Sequence, residues 1–179
     1  MHSFPFKLLF ATIFFLSSNF IFAQNPTERE QELYDVVMAY RKSKGLPVIP
    51  LSPKLTKVAQ FHCADLMKNP PDEESDCNMH SWGKSKLWKA CCYGDGDDGP
   101  CMWEKPKEIA GYNGTGYEIA FFSSGDFTAK VALEAWKKST GHHNVIINKD
   151  IWKEMKWGAV GVGIQGNYAV IWFGVEADE

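Results

Sequence analysis

The sequence predicts an α+β domain organised on an antiparallel sheet. Helical periodicities fill the first part of the chain after its apolar start, and the clearest hairpin, "WGAVGVGI…YAVIWFGV", closes the chain. Helices precede strands and do not alternate with them, which disfavours the β-α-β order of a parallel sheet.

The N-terminus comes first. Residues 1–23 hold one lysine, an apolar run from Leu8 to Leu16, and Ala23 before Gln24. Such a run between a basic start and a small residue fits a secretory signal and is too short to span a bilayer. A mature chain from Gln24 to Glu179 is therefore expected outside the cytoplasm, extracellular or periplasmic. No cysteine follows the cut and no second long apolar run appears, so neither a lipid anchor nor a membrane span is expected.

In the mature part, Thr27 and Glu30 stand in capping-box spacing. Leu33, Val36, Val37 and Tyr40 recur at helical intervals, and Gly45 follows a basic end, which predicts a first helix. Ser52-Pro53 reads as the cap and first turn of a second helix, with Leu55, Val58, Ala59, Cys63 and Leu66 along one face. His62 within it reads as a helix-surface or half-buried residue. Residues 69–116, rich in Pro, Gly, Asp and Cys, leave room only for short helices around Lys84–Cys91 and Pro106–Tyr112. "GYEIAFF" reads as a strand. Asp126 is expected to cap a third helix that runs through Val131, Ala135 and Trp136 to a stop at Gly141. The hairpin turns at Gln165-Gly166-Asn167.

The mature 156 residues suit one domain with its own core. Their balance of 18 basic to 22 acidic residues argues against nucleic acid or an anionic membrane as partner, both of which favour basic surfaces. Seven tryptophans read first as a Trp-rich core and second as an exposed platform for a sugar or lipid. Cys63, Cys77, Cys91, Cys92 and Cys101 fall within 39 residues, which in an exported chain reads as a disulfide framework. Leaving one out allows fifteen arrangements, and adjacent Cys91 and Cys92 can bond to different partners or to each other. A metal cluster is disfavoured because no spaced Cys-x-x-Cys pair is present. Asp95, Asp97 and Asp98 do not make a calcium loop, since Gly99 and Pro106 stand where oxygen ligands belong. Asn113 in "NGT" is a glycosylation acceptor only in a host that glycosylates.

Four polar positions stand in apolar or small-residue surroundings: His80, Glu118, His142 and His143. A carboxylate inside "GYEIAFF" is either on a solvent face or buried and paired. Adjacent residues diverge by about 100° on a helix and point to opposite faces of a strand. Only one of His142 and His143 can therefore face a given cleft.

In order, "YRKSKGLPVIPLSPKLTKVAQFHCADL", "HSWG", "GYEIA", "WKKSTGHHNVII" and "WGAVGVGIQGNYAVIWFG" resemble the CAP superfamily of cysteine-rich secretory, antigen 5 and pathogenesis-related proteins. The resemblance is to the bacterial SCP-like extracellular branch and covers roughly Leu33 to Val175. It implies a three-layer α-β-α sandwich with a central antiparallel sheet and a large cleft, typically lined by two histidines and two glutamates. His80 matches the family's His-Ser/Thr-x-Gly position. Glu118 matches the glutamate of Gly-Glu-Asn-Ile-Ala, although here a tyrosine precedes it and the asparagine is absent. His142 matches the histidine after Trp-x-x-Ser-x-Gly, and His143 stands where the bacterial branch usually has arginine. Ser139 occupies the place of the second glutamate, and Glu134 points about 200° away from Trp136 and does not replace it. The Cys- and Trp-rich insert, about residues 77–103, is not part of the common pattern.

Two histidines and a carboxylate form the ligand set of an open zinc site, and neutral imidazole is available for it. The leading expectation is a monomer whose polar cleft, lined by His80, Glu118, Ser139 and His142, binds an unidentified small ligand, lipid or protein without turnover. Zinc or another divalent cation on His80, Glu118 and His142 is the metal form of that reading. One alternative is a metal-dependent hydrolase with Glu118 as ligand or base. The other is a protein-interaction module whose partner surface is the insert and whose cleft is a relic.

Overall fold

The computed structural model describes residues 25–71, 76–94 and 99–178. The expected signal segment and the acids Asp95, Asp97 and Asp98 lie outside the described residues.

Helix α1 is Glu28–Ser43, and its capping box forms: Glu30 N–H donates to Thr27 Oγ1 (3.3 Å) and Thr27 N–H donates to Glu30 Oε2 (2.7 Å). Gly45 follows with φ 75°, a left-handed value that favours glycine. Helix α2 is Pro53–Lys68, where Ser52 Oγ accepts from Leu55 N–H (2.9 Å). Short helices α3, Gly99–Trp103, and α4, Lys105–Ala110, precede strand β1, Gly116–Phe122. Helix α5, Ala129–Lys138, then leads into α6, Thr140–Ile146, and a single 3-10 turn, Asp150–Trp152. Strands β2, Ala159–Gln165, and β3, Tyr168–Gly174, close the chain as the hairpin.

The sheet is antiparallel in the order β1-β3-β2, with Glu118 opposite Trp172 and Trp172 opposite Gly161. Strand side chains alternate between faces, and the burial divides accordingly. Ile119, Val160, Val162, Ile171 and Phe173 pack against α1, α5 and α6, where Leu33, Val37, Trp136 and Ile146 are buried. Ala120, Ala159, Val170 and Trp172 pack on the opposite side against Leu55, Val58, Ala59 and Leu66 of α2. The layers are therefore helix, sheet, helix, as the resemblance implied.

The second helical layer lies directly on strand backbone. A Cβ at Gly161 would overlap the main chain of Leu55 and Thr56, and one at Gly163 would overlap that of Ala59. These glycines serve close approach of a helix and do not make turns. On the other side, the buried Arg41 guanidinium donates to the carbonyls of Pro47 and Ile146 and to Asn148 Oδ1, tying α1 to the end of α6.

Three local expectations are corrected. Thr128, not Asp126, caps α5, its Oγ1 accepting from Val131 N–H (3.4 Å), and this lets Phe127 turn inward and become buried. The helix does not run to a stop at Gly141. It breaks at Ser139, whose extended backbone (φ −89°, ψ 113°) ends α5 and starts α6, with Gly141 inside the second helix. Residues 84–91 form no helix, because Trp82 and Cys91 pair in an antiparallel bridge across them. Disulfides Cys77–Cys92 and Cys91–Cys101 staple this region, so the adjacent cysteines take different partners and Cys63 is the free, buried thiol.

Candidate functional site

Strand β1 lies at one edge of the sheet, and a cleft of about 200 Å³ opens beside it. Trp103 of α3, Tyr117 of β1, and Ile151 and Trp152 of the 3-10 turn supply apolar walls, with His80 and Glu118 at the polar end. Tyr117 and Trp152 meet edge to face at 4.9 Å between centroids.

His80 is set by a tight turn in the insert. Its N–H donates to Asn78 Oδ1 (2.9 Å), and Ser81 N–H donates to the Asn78 carbonyl (2.9 Å). The Cys77–Cys92 bond and the Asn78 N–H to Tyr93 carbonyl bond (2.8 Å) fix the base of that turn. Glu118 alternates with Ile119 along β1 and so points to the α2 side of the sheet, where its side chain is 0% exposed. Of the two readings of that carboxylate, buried and paired is the one found. Oε1 accepts from His80 Nδ1 (2.8 Å), and Oε2 meets His62 Nδ1.

His62 was expected on the helix surface or half-buried. It is instead 0% exposed and central to the site. Its Nε2 meets the Ser81 carbonyl (3.0 Å), and its ring stacks flat on Trp82 at 4.2 Å and 10°. The signal for this was present: Val58, His62 and Leu66 are spaced by four, so the apolar stripe of α2 passes through His62.

His142 and His143 occupy the first turn of α6 and diverge as adjacent helical residues must. The His142 ring stands edge-on to His80, with centroids 6.0 Å apart. His143 turns to the other side, where Nε2 shares a hydrogen bond with Tyr40 Oη of α1 (2.8 Å). Ser139 contributes backbone: its N–H donates to the Trp136 carbonyl and its own carbonyl accepts from His143 N–H, while its hydroxyl makes no capping bond. The fold thus brings His80, Glu118 and His142 together, adds His62, and uses Ser139 as the joint that aims α6.

Burial alone would raise the Glu118 carboxyl, but His62 and His80 outweigh it and hold the group below its ordinary value of 4.5. His142 is pushed below 6.5 chiefly by burial and then by His80, with Glu118 opposing. His143 is lowered by burial and by Lys44, Lys149 and Lys137.

A cation held by His80, Glu118 and His142 together does not fit this arrangement. Both Glu118 oxygens are engaged by histidine rings, and among the described residues no group of three or more His, Cys, Asp or Glu side chains is placed to hold a metal ion.

Two solved structures share the fold. One is an extracellular protein containing an SCP domain from Bacillus anthracis str. Ames, 17% identical, with a TM-score of 0.58 over 83% of this chain and 40% of that one. The other is a cysteine-rich secretory protein from Staphylococcus aureus subsp. aureus Mu50, 15% identical, with a TM-score of 0.55 over 84% of this chain and 40% of that one. This chain therefore spans about two fifths of the length of each. No curated protein matches the sequence. The model of the CAP family, described as the cysteine-rich secretory protein family, matches residues 34–173, most of the sequence, with His80, Glu118 and His142 inside the match, and the chain belongs to that family.

Proposed function

We propose that this chain is an exported, monomeric binding protein whose cleft, formed by His80, Glu118 and His142, holds a small ligand and does not turn it over. Residues 1–23 serve as the secretory signal and residues 24–179 as one domain, with the insert at about 77–103 forming part of the cleft. The observation that carries the binding reading is the engagement of both Glu118 oxygens by His62 and His80. A carboxylate held this way is neither a free base nor an open ligand, and among the described residues no Ser, Thr, Cys or Lys lines the cleft as a nucleophile. Aromatic and aliphatic walls with a few polar groups at one end match the make-up of small-molecule pockets. Two disulfides among the described residues support export, since such bonds persist in oxidising compartments.

The test is a ligand-observed NMR screen of small neutral, anionic and apolar compounds against the oxidised protein, His80→Ala and His142→Ala, beside a zinc titration by calorimetry. Hits lost in both variants, with no product formed, support the reading. Stoichiometric zinc binding abolished by both substitutions would replace it with the metal reading, and hits unaffected by either would move the site elsewhere.

A further inference from the structure

We infer that His62 is a buried imidazolium that acts as the positioning residue of the site: by balancing Glu118 it leaves His80 as an uncharged hydrogen-bond acceptor, and the cleft therefore selects a neutral, hydroxyl-bearing ring, a sugar residue, over an anion. The ligand half rests on the binding reading above; the His62 half rests on the hydrogen-bond geometry together with an ionised Glu118, whose carboxyl the two rings hold below its ordinary value.

Nε2 of His62 meets the Ser81 carbonyl, which can only accept, so Nε2 carries a hydrogen. Nδ1 of the same ring meets Oε2 of Glu118, and an ionised carboxylate also only accepts. Both nitrogens are then donors and the ring is charged. Its surroundings suit a cation: the Glu118 carboxylate meets Nδ1, and the Trp82 indole lies flat against the ring face at 4.2 Å. The side chain is 0% exposed.

The consequence falls on His80. One buried negative charge is already matched by one positive charge, so the second ring on Glu118 carries no obligatory proton beyond the Nδ1–H that it donates to Oε1 (2.8 Å). Its Nε2, on the other side of the ring, keeps a lone pair, and the His80 side chain is 19% exposed. Among the described residues the cleft lining contains no Lys or Arg to offer an anionic headgroup a counter-charge. A hydroxyl donates to Nε2, and the C–H face of its ring lies against Trp103, Tyr117 or Trp152. A cavity of about 200 Å³ takes one such ring and not an extended lipid.

The experiment uses the oxidised full-length mature chain with ¹⁵N-labelled histidine at neutral pH. Long-range ¹H–¹⁵N correlations report each ring: His62 is expected with both nitrogens protonated, and His80 with a protonated Nδ1 and a bare Nε2. Methyl α-glucoside and benzoate, a neutral and an anionic ring of similar size, are then titrated. Glucoside is expected to shift the His80 and His142 signals where benzoate does not. His62→Phe keeps the stacked ring and removes both donors. Glu118 must then draw its balancing proton to His80, and the ratio of benzoate to glucoside affinity is expected to rise about tenfold or more. If that variant does not fold, the wild-type spectrum and the two probes decide alone. A bare nitrogen on His62 overturns the inference and leaves the binding reading intact, as does benzoate binding at His80 more tightly than glucoside. Silence of the cleft signals to both probes and to the wider screen overturns the ligand half and the binding reading together.

Discussion

Replacing Glu118 by leucine removes the carboxylate from a position where two ring N–H groups point at it and solvent cannot replace it. Breaking a buried pair by deleting one partner costs about 3–5 kcal/mol, because the other charge stays buried and uncompensated. Against a total of roughly 5–15 kcal/mol for a domain of this kind, that is about a fifth or more of the stability. His62→Phe alone is expected to cost a similar amount. The double variant Glu118→Leu/His62→Phe leaves no orphaned charge, and replacing both members of such a pair by apolar groups is often nearly neutral, so it should cost less than either single change. The assay is urea unfolding of the oxidised protein followed by its seven tryptophans. With a slope of about 2 kcal/mol/M, each single variant should lose about 2 M in midpoint, and the double variant should recover most of it. A double variant whose loss equals the sum of the two singles would refute the reasoning, since additivity means that His62 and Glu118 do not act as a pair.

Acid should unfold the wild type in two stages of the same sign. His142 is depressed in the fold, so its contribution is present above 6.5 and is lost as pH falls through its lower folded value. Glu118 is also depressed, so its contribution is present above 4.5 and lost below that. Urea midpoints measured from pH 8 to pH 3 should therefore fall in both windows, and Glu118→Leu should shrink the lower-pH loss, leaving the part that the likewise depressed Glu108 and Asp178 contribute. Gly161→Ala drives a methyl into the Leu55 backbone, where no rotamer gives relief. An overpacking cost of about 3 kcal/mol corresponds to a drop of roughly 6–12 °C in Tm, and an unchanged Tm would mean that α2 can lift off β2 freely. Cys63 is buried, and burial, with Glu118 and Glu30 adding to it, pushes its thiol well above 9. Iodoacetamide should label no cysteine in the native protein and one after denaturation without reductant; native labelling would show that α2 opens readily.

What the sequence disclosed is what short-range chemistry decides. The Thr27–Glu30 box and the Ser52-Pro53 start are each complete within a few residues and form as read, while the turn read at Gln165-Gly166-Asn167 forms one residue tighter, with Gln165 ending β2 and pairing with Tyr168. The Lys84–Cys91 helix failed because its outcome depends on Cys91 reaching Cys101 and on Trp82 pairing with Cys91, contacts that no local pattern encodes. The break at Ser139 was misplaced for a related reason. A glycine two residues on offered the stronger stop signal, while α6 needed its start at Thr140 to bring Val145 and Ile146 into the core. The resemblance named His80, Glu118 and His142, which the fold brings together, and helical divergence turns His142 and His143 to different sides. The polarity of His62 argues locally for the helix surface, whereas its spacing from Val58 and Leu66 puts it in the apolar stripe of α2. Its partner is 56 residues further on, so only the packed sheet reveals the pair.

That pairing also gives the two hairpin glycines a functional meaning. His62 projects from α2, and Glu118 from β1 at the far edge of the sheet from β2. For a short imidazole to meet a short carboxylate across that layer, α2 must lie low on the sheet, and it does so because Gly161 and Gly163 present bare backbone beneath Leu55 and Ala59. Any side chain at those positions would lift the helix by the thickness of a methyl group. Apolar contacts in the second layer could readjust around such a shift, since dispersion is spread over many atoms. A hydrogen bond between charged groups tolerates much less, because it weakens steeply with distance and angle. The Gly-Val-Gly strand therefore sets the helix height that the His62–Glu118 contact needs, and through Glu118 it orients His80 at the cleft, although none of its residues lines the cleft.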